Sequence, residues 1–224
     1  QAPPGRLTLT ARGGAAGAGL DDLRGRLALE LAPSRLRAGE LGPVSIQARA
    51  DRGVVEVTRL QGRLPGLAVE GAGRWRAGGA VGGEVAAGSG DLALLGRNLA
   101  ALTGAALPPL RGQVRATAAL SGTAAAPELR ATLTAPLLAA GADRVEGLEL
   151  SAEAAGPARD PRGRVTASAS RAATGGVELR DASLLAGLAG DEASLTAAAT
   201  LPDLGRDPVS LQGFARVARD RRGA

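Results

Sequence analysis

Apolar and polar residues alternate in stretch after stretch of this chain, as in Leu27-Ala28-Leu29-Glu30-Leu31 and Leu129-Arg130-Ala131-Thr132-Leu133. A period of two is the spacing of a β-strand with one dry face and one wet face. Many stretches stand next to a Gly-Arg-apolar triplet: Gly5-Arg6-Leu7, Gly25-Arg26-Leu27, Gly62-Arg63-Leu64, Gly73-Arg74-Trp75 and Gly163-Arg164-Val165, with Gly112-Gln113-Val114 as a variant. Each triplet is expected to open a strand, with the glycine for the bend, the arginine for the wet face and the apolar residue for the dry one.

The strand candidates are short and separated by Gly, Pro or Asp. They run over 6–11, 24–31, 44–50, 54–60, 67–70, 73–76, 81–87, 111–120, 128–135, 145–154, 163–170, 176–182, 193–199 and 209–217. This density predicts an all-β chain, a long curved antiparallel sheet built by pairing consecutive strands. The spacing of the stretches is too irregular for a short-period β-helix. The dry positions are Leu7, Leu9, Leu27, Leu29, Leu31, Val44, Ile46, Leu129, Leu133, Leu148 and Leu150, extended by Val55, Val57, Val177, Leu179 and Leu195. Between them lie wet ones such as Thr8, Thr10, Glu30, Gln47, Arg130, Thr132, Glu149 and Ser151.

One segment breaks the pattern. Leu92, Leu95, Leu99 and Leu102 recur at helical spacing, Asp91 stands at the N-cap position and Gly104 at the C-terminal stop. The expectation is a short amphipathic helix over 91–103, lying on the dry face as a plug or as an ordinary packing helix. Residues 1–224 are read as one elongated unit, with 91–110 as the place where it would subdivide.

The dry face has unusual ingredients. Hydrophobic residues make up 45% of the chain and aromatics 1%, with Trp75 and Phe214 alone and no Met, Tyr, His or Cys. Leu, Val and Ala must line it, without the aromatic bulk that fills most cores. A GC-rich coding vocabulary, rich in Ala, Gly, Arg, Pro and Leu and lacking Lys, accounts for part of the same deficit. The net charge of +5 raises nucleic acid as a partner. However, the arginines are dispersed singly among acids, as in Val177-Glu178-Leu179-Arg180-Asp181, without stacking aromatics. Only Arg216, Arg219, Arg221 and Arg222 gather charge, and they read as a solvated end. Nucleic acid is not an expected partner.

Catalysis finds little material. Without His or Cys the usual general bases and thiol nucleophiles are missing, and no cofactor or metal is expected. Asp21-Asp22, Asp191-Glu192 and Asp143 with Glu146 are the available carboxylate pairs, and turn or edge roles suffice for them. Gly13-Gly14, Gly78-Gly79, Gly82-Gly83 and Gly175-Gly176 lack the Gly-Lys-Ser/Thr ending of a phosphate loop and read as turns or bulges. Trp75 reads as packing, with an anchor at lipid-headgroup level as the other use. The apolar run 92–110 is broken by Arg97, Asn98 and Pro108-Pro109, so no segment is expected to cross a membrane as a helix. Because the sequence starts at Gln1, it reads as a segment of a longer protein.

Asp91-Leu92-Ala93-Leu94-Leu95, then Leu110-Arg111-Gly112-Gln113-Val114, Leu120-Ser121-Gly122-Thr123, Pro127-Glu128-Leu129 and Gly147-Leu148-Glu149-Leu150 form an order of features. This order resembles the TamB family of AsmA-like cell-envelope proteins, whose repeats read as a Leu-rich helix, a strand from a Gly, a Ser-Gly-Thr turn, a Pro and another strand. The resemblance covers about 23–217 and is best over 91–155. It implies a β-taco, a sheet folded along its length into an apolar trough lined by the dry residues named above. It also implies phospholipid acyl chains as ligand, moved from the inner to the outer membrane. The parent would be anchored in the inner membrane of a Gram-negative-type bacterium, cross the periplasm, and meet an outer-membrane barrel through other parts of its chain. The alternative reading is a structural or adhesive β-repeat whose dry face is closed by an opposite sheet, with no ligand.

Overall fold

The computed structural model describes residues 7–19, 21–157, 159–203, 205 and 207–216. Fifteen strands and one helix follow one another: β1 (Leu9–Ala16), β2 (Arg24–Leu31), β3 (Ser34–Leu36), β4 (Gly39–Leu41), β5 (Val44–Asp51), β6 (Val54–Leu64), β7 (Leu67–Arg76), β8 (Val81–Ser89), α1 (Leu92–Thr103), β9 (Leu110–Gly122), β10 (Pro127–Ala140), β11 (Asp143–Ala155), β12 (Arg162–Thr174), β13 (Val177–Ala189), β14 (Glu192–Thr200) and β15 (Pro208–Arg216). Thirteen of the strands form one antiparallel meander in the order β1-β2-β5-β6-β7-β8-β9-β10-β11-β12-β13-β14-β15, and β3-β4 is a separate hairpin. The sheet is curved and does not close on itself. Strand β8 pairs directly with β9, so the sheet runs unbroken past the helix.

Several strand boundaries differ from the alternation. The stretches 67–70 and 73–76 are one strand, β7, because Gly71 and Ala72 pair with Val85 and Glu84 without interruption. The triplets at Gly62 and Gly73 lie near the ends of β6 and β7 instead of opening them, while those at Gly25 and Gly163 stand at the second position of their strands. What the triplets share is a face, since each described glycine falls in an apolar row. Gly5, Arg6 and Val217 fall outside the described residues, as do the tail arginines after Arg216.

Helix α1 forms where its signals place it. The Asp91 side chain accepts a hydrogen bond from the Leu94 N–H at 3.0 Å, and Gly104 takes the left-handed conformation (φ 75°) with its N–H donating to the Ala100 carbonyl. These two caps satisfy groups that a helix leaves unpaired at its termini. The helix lies against the start of β9, where Gly96 meets the Leu110 side chain, and against β4, where Leu102 meets Gly39. It also abuts the β6–β7 turn. A Cβ on Gly66 (φ 82°) would stand 2.6 Å from the Leu95 nitrogen.

The β3–β4 hairpin is pinned to the helix by one side chain. Asn98 is 8% exposed; its Oδ1 accepts the Glu40 N–H at 2.7 Å and its Nδ2 donates to the Glu40 carbonyl at 2.8 Å. Arg37 adds a bond from its Nη1 to the Thr103 carbonyl at 2.9 Å, at the helix C-terminus. Hairpin and helix thus make one unit along the edge formed by the C-terminal end of β8 and the N-terminal end of β9. In the β1–β2 turn the Asp22 carboxylate accepts N–H bonds from Ala18 (2.9 Å) and Gly19 (2.7 Å), which hold it below the usual carboxylate range.

Candidate functional site

Cross-strand register turns the apolar positions into rows that traverse the sheet. One row runs Leu9, Leu31, Val44, Gly62, Val69, Ala87, Ala116, Leu133, Leu150, Ala167, Leu184, Ala197, Leu211. The next runs Ala11, Leu29, Ile46, Leu60, Gly71, Val85, Ala118, Ala131, Ala152, Val165, Ala186, Leu195, Gly213, and the third Gly13, Leu27, Ala48, Val57, Gly73, Gly83, Leu120, Leu129, Ala154, Gly163, Leu188, Ala193, Ala215. No polar side chain interrupts any of the three. Thirteen strands give twelve inter-strand steps; at about 4.8 Å each, a row follows the sheet for roughly 60 Å.

The remaining sequence-predicted residues extend the same face. Leu148 pairs with Ala135, while Leu179 continues a row through Ala172, Val145 and Leu138 to Gly112, and Val177 stands two positions before Leu179. Val55 pairs with Trp75, and Trp75 with Val81, near the opposite strand ends. Leu7 precedes β1, has no partner in the ladder and is 53% exposed, so it stands outside the rows. Leu92, Leu95, Leu99 and Leu102 are half-buried in α1, as a packing face requires.

Sequence reasoning passed over Leu60, Val69, Val85, Leu120, Leu184, Val209 and Leu211, which stand in these rows or next to them in the same strands. Alternation within β6 to β9 marks the first four. It also passed over Asn98, whose burial depends on a hairpin 58 residues away in sequence.

Bulges keep the rows together. Val57 and Leu60, three positions apart, share a face because Thr58 and Arg59 bulge out of β6. Another irregularity falls between Thr134 and Leu137 in β10, and a third between Arg180 and Ser183, where Asp181 has φ 49°. A bulge adds one residue and so restores the face that strict alternation would have lost.

No second sheet faces these rows among the described residues. Ala135 is the buried hydrophobic residue, and no large side chain is fully buried. Leu9, Leu129 and Leu195 are 66%, 42% and 37% exposed. Monomeric proteins rarely leave so continuous an apolar surface to water unless something binds it. The face is low in its middle, where Gly73 stands opposite Gly83 and Gly71 opposite Val85.

The other face is polar and closes with short-range contacts. Thr117 and Thr132 hydrogen-bond at 2.7 Å, Ser151 and Thr166 at 2.6 Å, and Arg49–Glu56, Arg130–Glu153 and Arg216–Glu192 are ion pairs between cross-strand partners. Such exposed pairs contribute to register and solubility more than to stability. Depressions of about 650 Å³ and about 950 Å³ lie on this polar face, the first lined by Gln61, Glu70, Glu84, Thr117 and Thr132 among others.

Asp22 serves the β1–β2 turn, Glu192 pairs with Arg216, and Glu146 pairs with Arg144. Among the described residues no cluster of three or more Asp, Glu, His or Cys could hold a metal ion. No described helix is long and apolar enough to cross a membrane. The hydroxyl of Ser89, 3% exposed on the apolar side at the end of β8, has no hydrogen-bond partner. Ser89→Ala is therefore expected to raise stability by about 1 kcal/mol, measured by chemical denaturation, because it removes an unpaired buried polar atom at little loss of volume.

No family model matches the chain, and neither does any curated protein or solved structure.

Proposed function

We propose that this chain carries phospholipid acyl chains on its apolar face. In this reading it is a segment of a TamB-type envelope protein anchored in the inner membrane, crossing the periplasm of a Gram-negative-type bacterium. The observation that carries the reading is the set of unbroken apolar rows on a single sheet, with no second sheet facing them among the described residues. An acyl chain is the apolar ligand that such a surface suits. Each methylene removed from water contributes about 0.8 kcal/mol, and Leu, Val, Ala and Gly offer no directed polar partner that would hold it at one place. Movement along the rows then meets only small barriers, and the roughly 60 Å of row length exceeds any single acyl chain. The reading assigns the protein transport from inner to outer membrane and no catalysis. Contact with an outer-membrane barrel falls to other parts of the parent chain.

Photo-crosslinking residues placed at Leu29, Leu133 and Thr132 of the full-length protein in cells test the reading. Leu133 and Thr132 are neighbours in β10 whose side chains take opposite faces. Phospholipid adducts are expected at Leu29 and Leu133, and only background at Thr132. Adducts at background level at all three positions would overturn it.

A further inference from the structure

A cluster of arginines crosses four strands on the polar face, at the strand ends opposite α1. The depression of about 950 Å³ there is lined by Arg24, Arg26, Arg49, Arg52, Arg74 and Arg76, with Asp51 and Glu56 as its carboxylates. Six arginines against two acids leave four positive charges in excess. Glu56 is taken by Arg49 (2.6 Å), and Asp51 is shared by Arg24 (3.7 Å) and Arg52 (3.5 Å). Arg26 and Arg76 have no carboxylate partner among these pairs, Arg74 stands opposite the Glu56 that Arg49 holds, and Arg26 stands directly opposite Arg49 across β2 and β5. Like charges so placed destabilise a sheet. A counter-charge from outside the chain would relieve that repulsion.

A second observation names the kind of counter-charge. Trp75, the one tryptophan of the chain, sits between Arg74 and Arg76 at the end of β7 and points to the apolar face beside Val55 and Val81. The same rim therefore presents an aromatic ring on one side and guanidinium groups on the other. This is the pairing found at membrane interfaces, where Trp sits at headgroup depth and basic residues meet lipid phosphates. A nucleic-acid site would place the aromatic beside the arginines for stacking. Here the ring lies on the other face, and Phe214 is on β15 at the far side of the sheet.

We propose that the rim formed by the ends of β2, β5, β6 and β7 docks on an anionic phospholipid surface, its arginines on the headgroup phosphates and Trp75 at the interface. This docking is independent of what the apolar rows carry. Trp75 also supplies the readout. Vesicles of phosphatidylcholine mixed with phosphatidylglycerol are expected to shift its emission to the blue, vesicles of phosphatidylcholine alone are not, and added salt weakens the binding.

Combining Arg26→Gln, Arg74→Gln and Arg76→Gln should weaken vesicle affinity by about a hundredfold, since each basic residue at such a surface contributes roughly fivefold. Arg111→Gln, Arg115→Gln and Arg164→Gln together remove equal charge elsewhere on the polar face and should leave affinity nearly unchanged. If the first variant lacks the wild-type far-UV spectrum, Arg74→Gln and Arg76→Gln singly, each with a roughly fivefold loss, make the same test. Equal losses in the two triple variants, no shift with anionic vesicles, displacement by inorganic phosphate, or tighter binding to duplex DNA than to vesicles would each overturn the proposal. Lipid crosslinks at Leu29 without vesicle docking would remove this proposal alone, and docking without crosslinks would remove the acyl-chain reading alone.

Discussion

Gly112→Val is expected to destabilise the chain by about 4 kcal/mol, through a clash together with backbone strain, and to loosen the sheet between β9 and β10. Gly112 has φ 114° and pairs with Leu138 next to the irregularity between Thr134 and Leu137. A Cβ there would collide with the Leu137 carbonyl oxygen and come within 3.3 Å of the Leu138 Cα. Both obstacles are backbone, so no rotamer change relieves them. The strand must instead give up its pairing at that end. Chemical denaturation followed by circular dichroism measures the loss, and an unchanged midpoint would show that the strand ends are not held as described.

Asn98→Ala should cost about 3 kcal/mol, because it leaves both the N–H and the carbonyl of Glu40 without a partner where they are partly buried, at about 1–3 kcal/mol for each. The loss is local. The β3–β4 hairpin has its own pairs, Ser34 with Leu41, Arg35 with Glu40 and Leu36 with Gly39, and too few of them to hold its position. Amide exchange at Glu40 is expected to rise sharply while exchange in β10 to β13 stays as in the wild type. Asn98→Asp separates geometry from bonding. It keeps the acceptor for the Glu40 N–H but sets a carboxylate against the Glu40 carbonyl, and so should also destabilise. Wild-type exchange at Glu40 in the alanine variant would mean that Arg37 and Leu102 hold the hairpin without Asn98.

Local signals were readable from sequence and non-local ones were not. The helix declared itself because Asp91, Gly104 and four leucines act within a dozen residues, and α1 occupies Leu92–Thr103 with those caps. The antiparallel all-β sheet followed from alternation alone. Alternation fails at a bulge, however, since one extra residue reverses parity, and nothing local in Thr58-Arg59 announces it. Gly71 looked like a break between two strands and is instead a residue that allows close approach to Val85. The hairpin of β3 and β4 is too short for periodicity to register.

The apolar-face positions were legible, and Leu7 lies before the first pair. The arginine patch was not, because dispersed arginines on β2, β5, β7 and the β5–β6 turn become neighbours only through register.

In the meander each strand of the main sheet bonds only to the strands before and after it in that sheet. Stability in such an arrangement is a sum of neighbour terms, without a centre on which the rest depends. Adding or deleting a hairpin would then change the contour length by about 9.6 Å, two strand spacings, and leave the cross-section as it was. Distance spanned becomes a quantity that evolution can set by duplication, independently of what the surface binds.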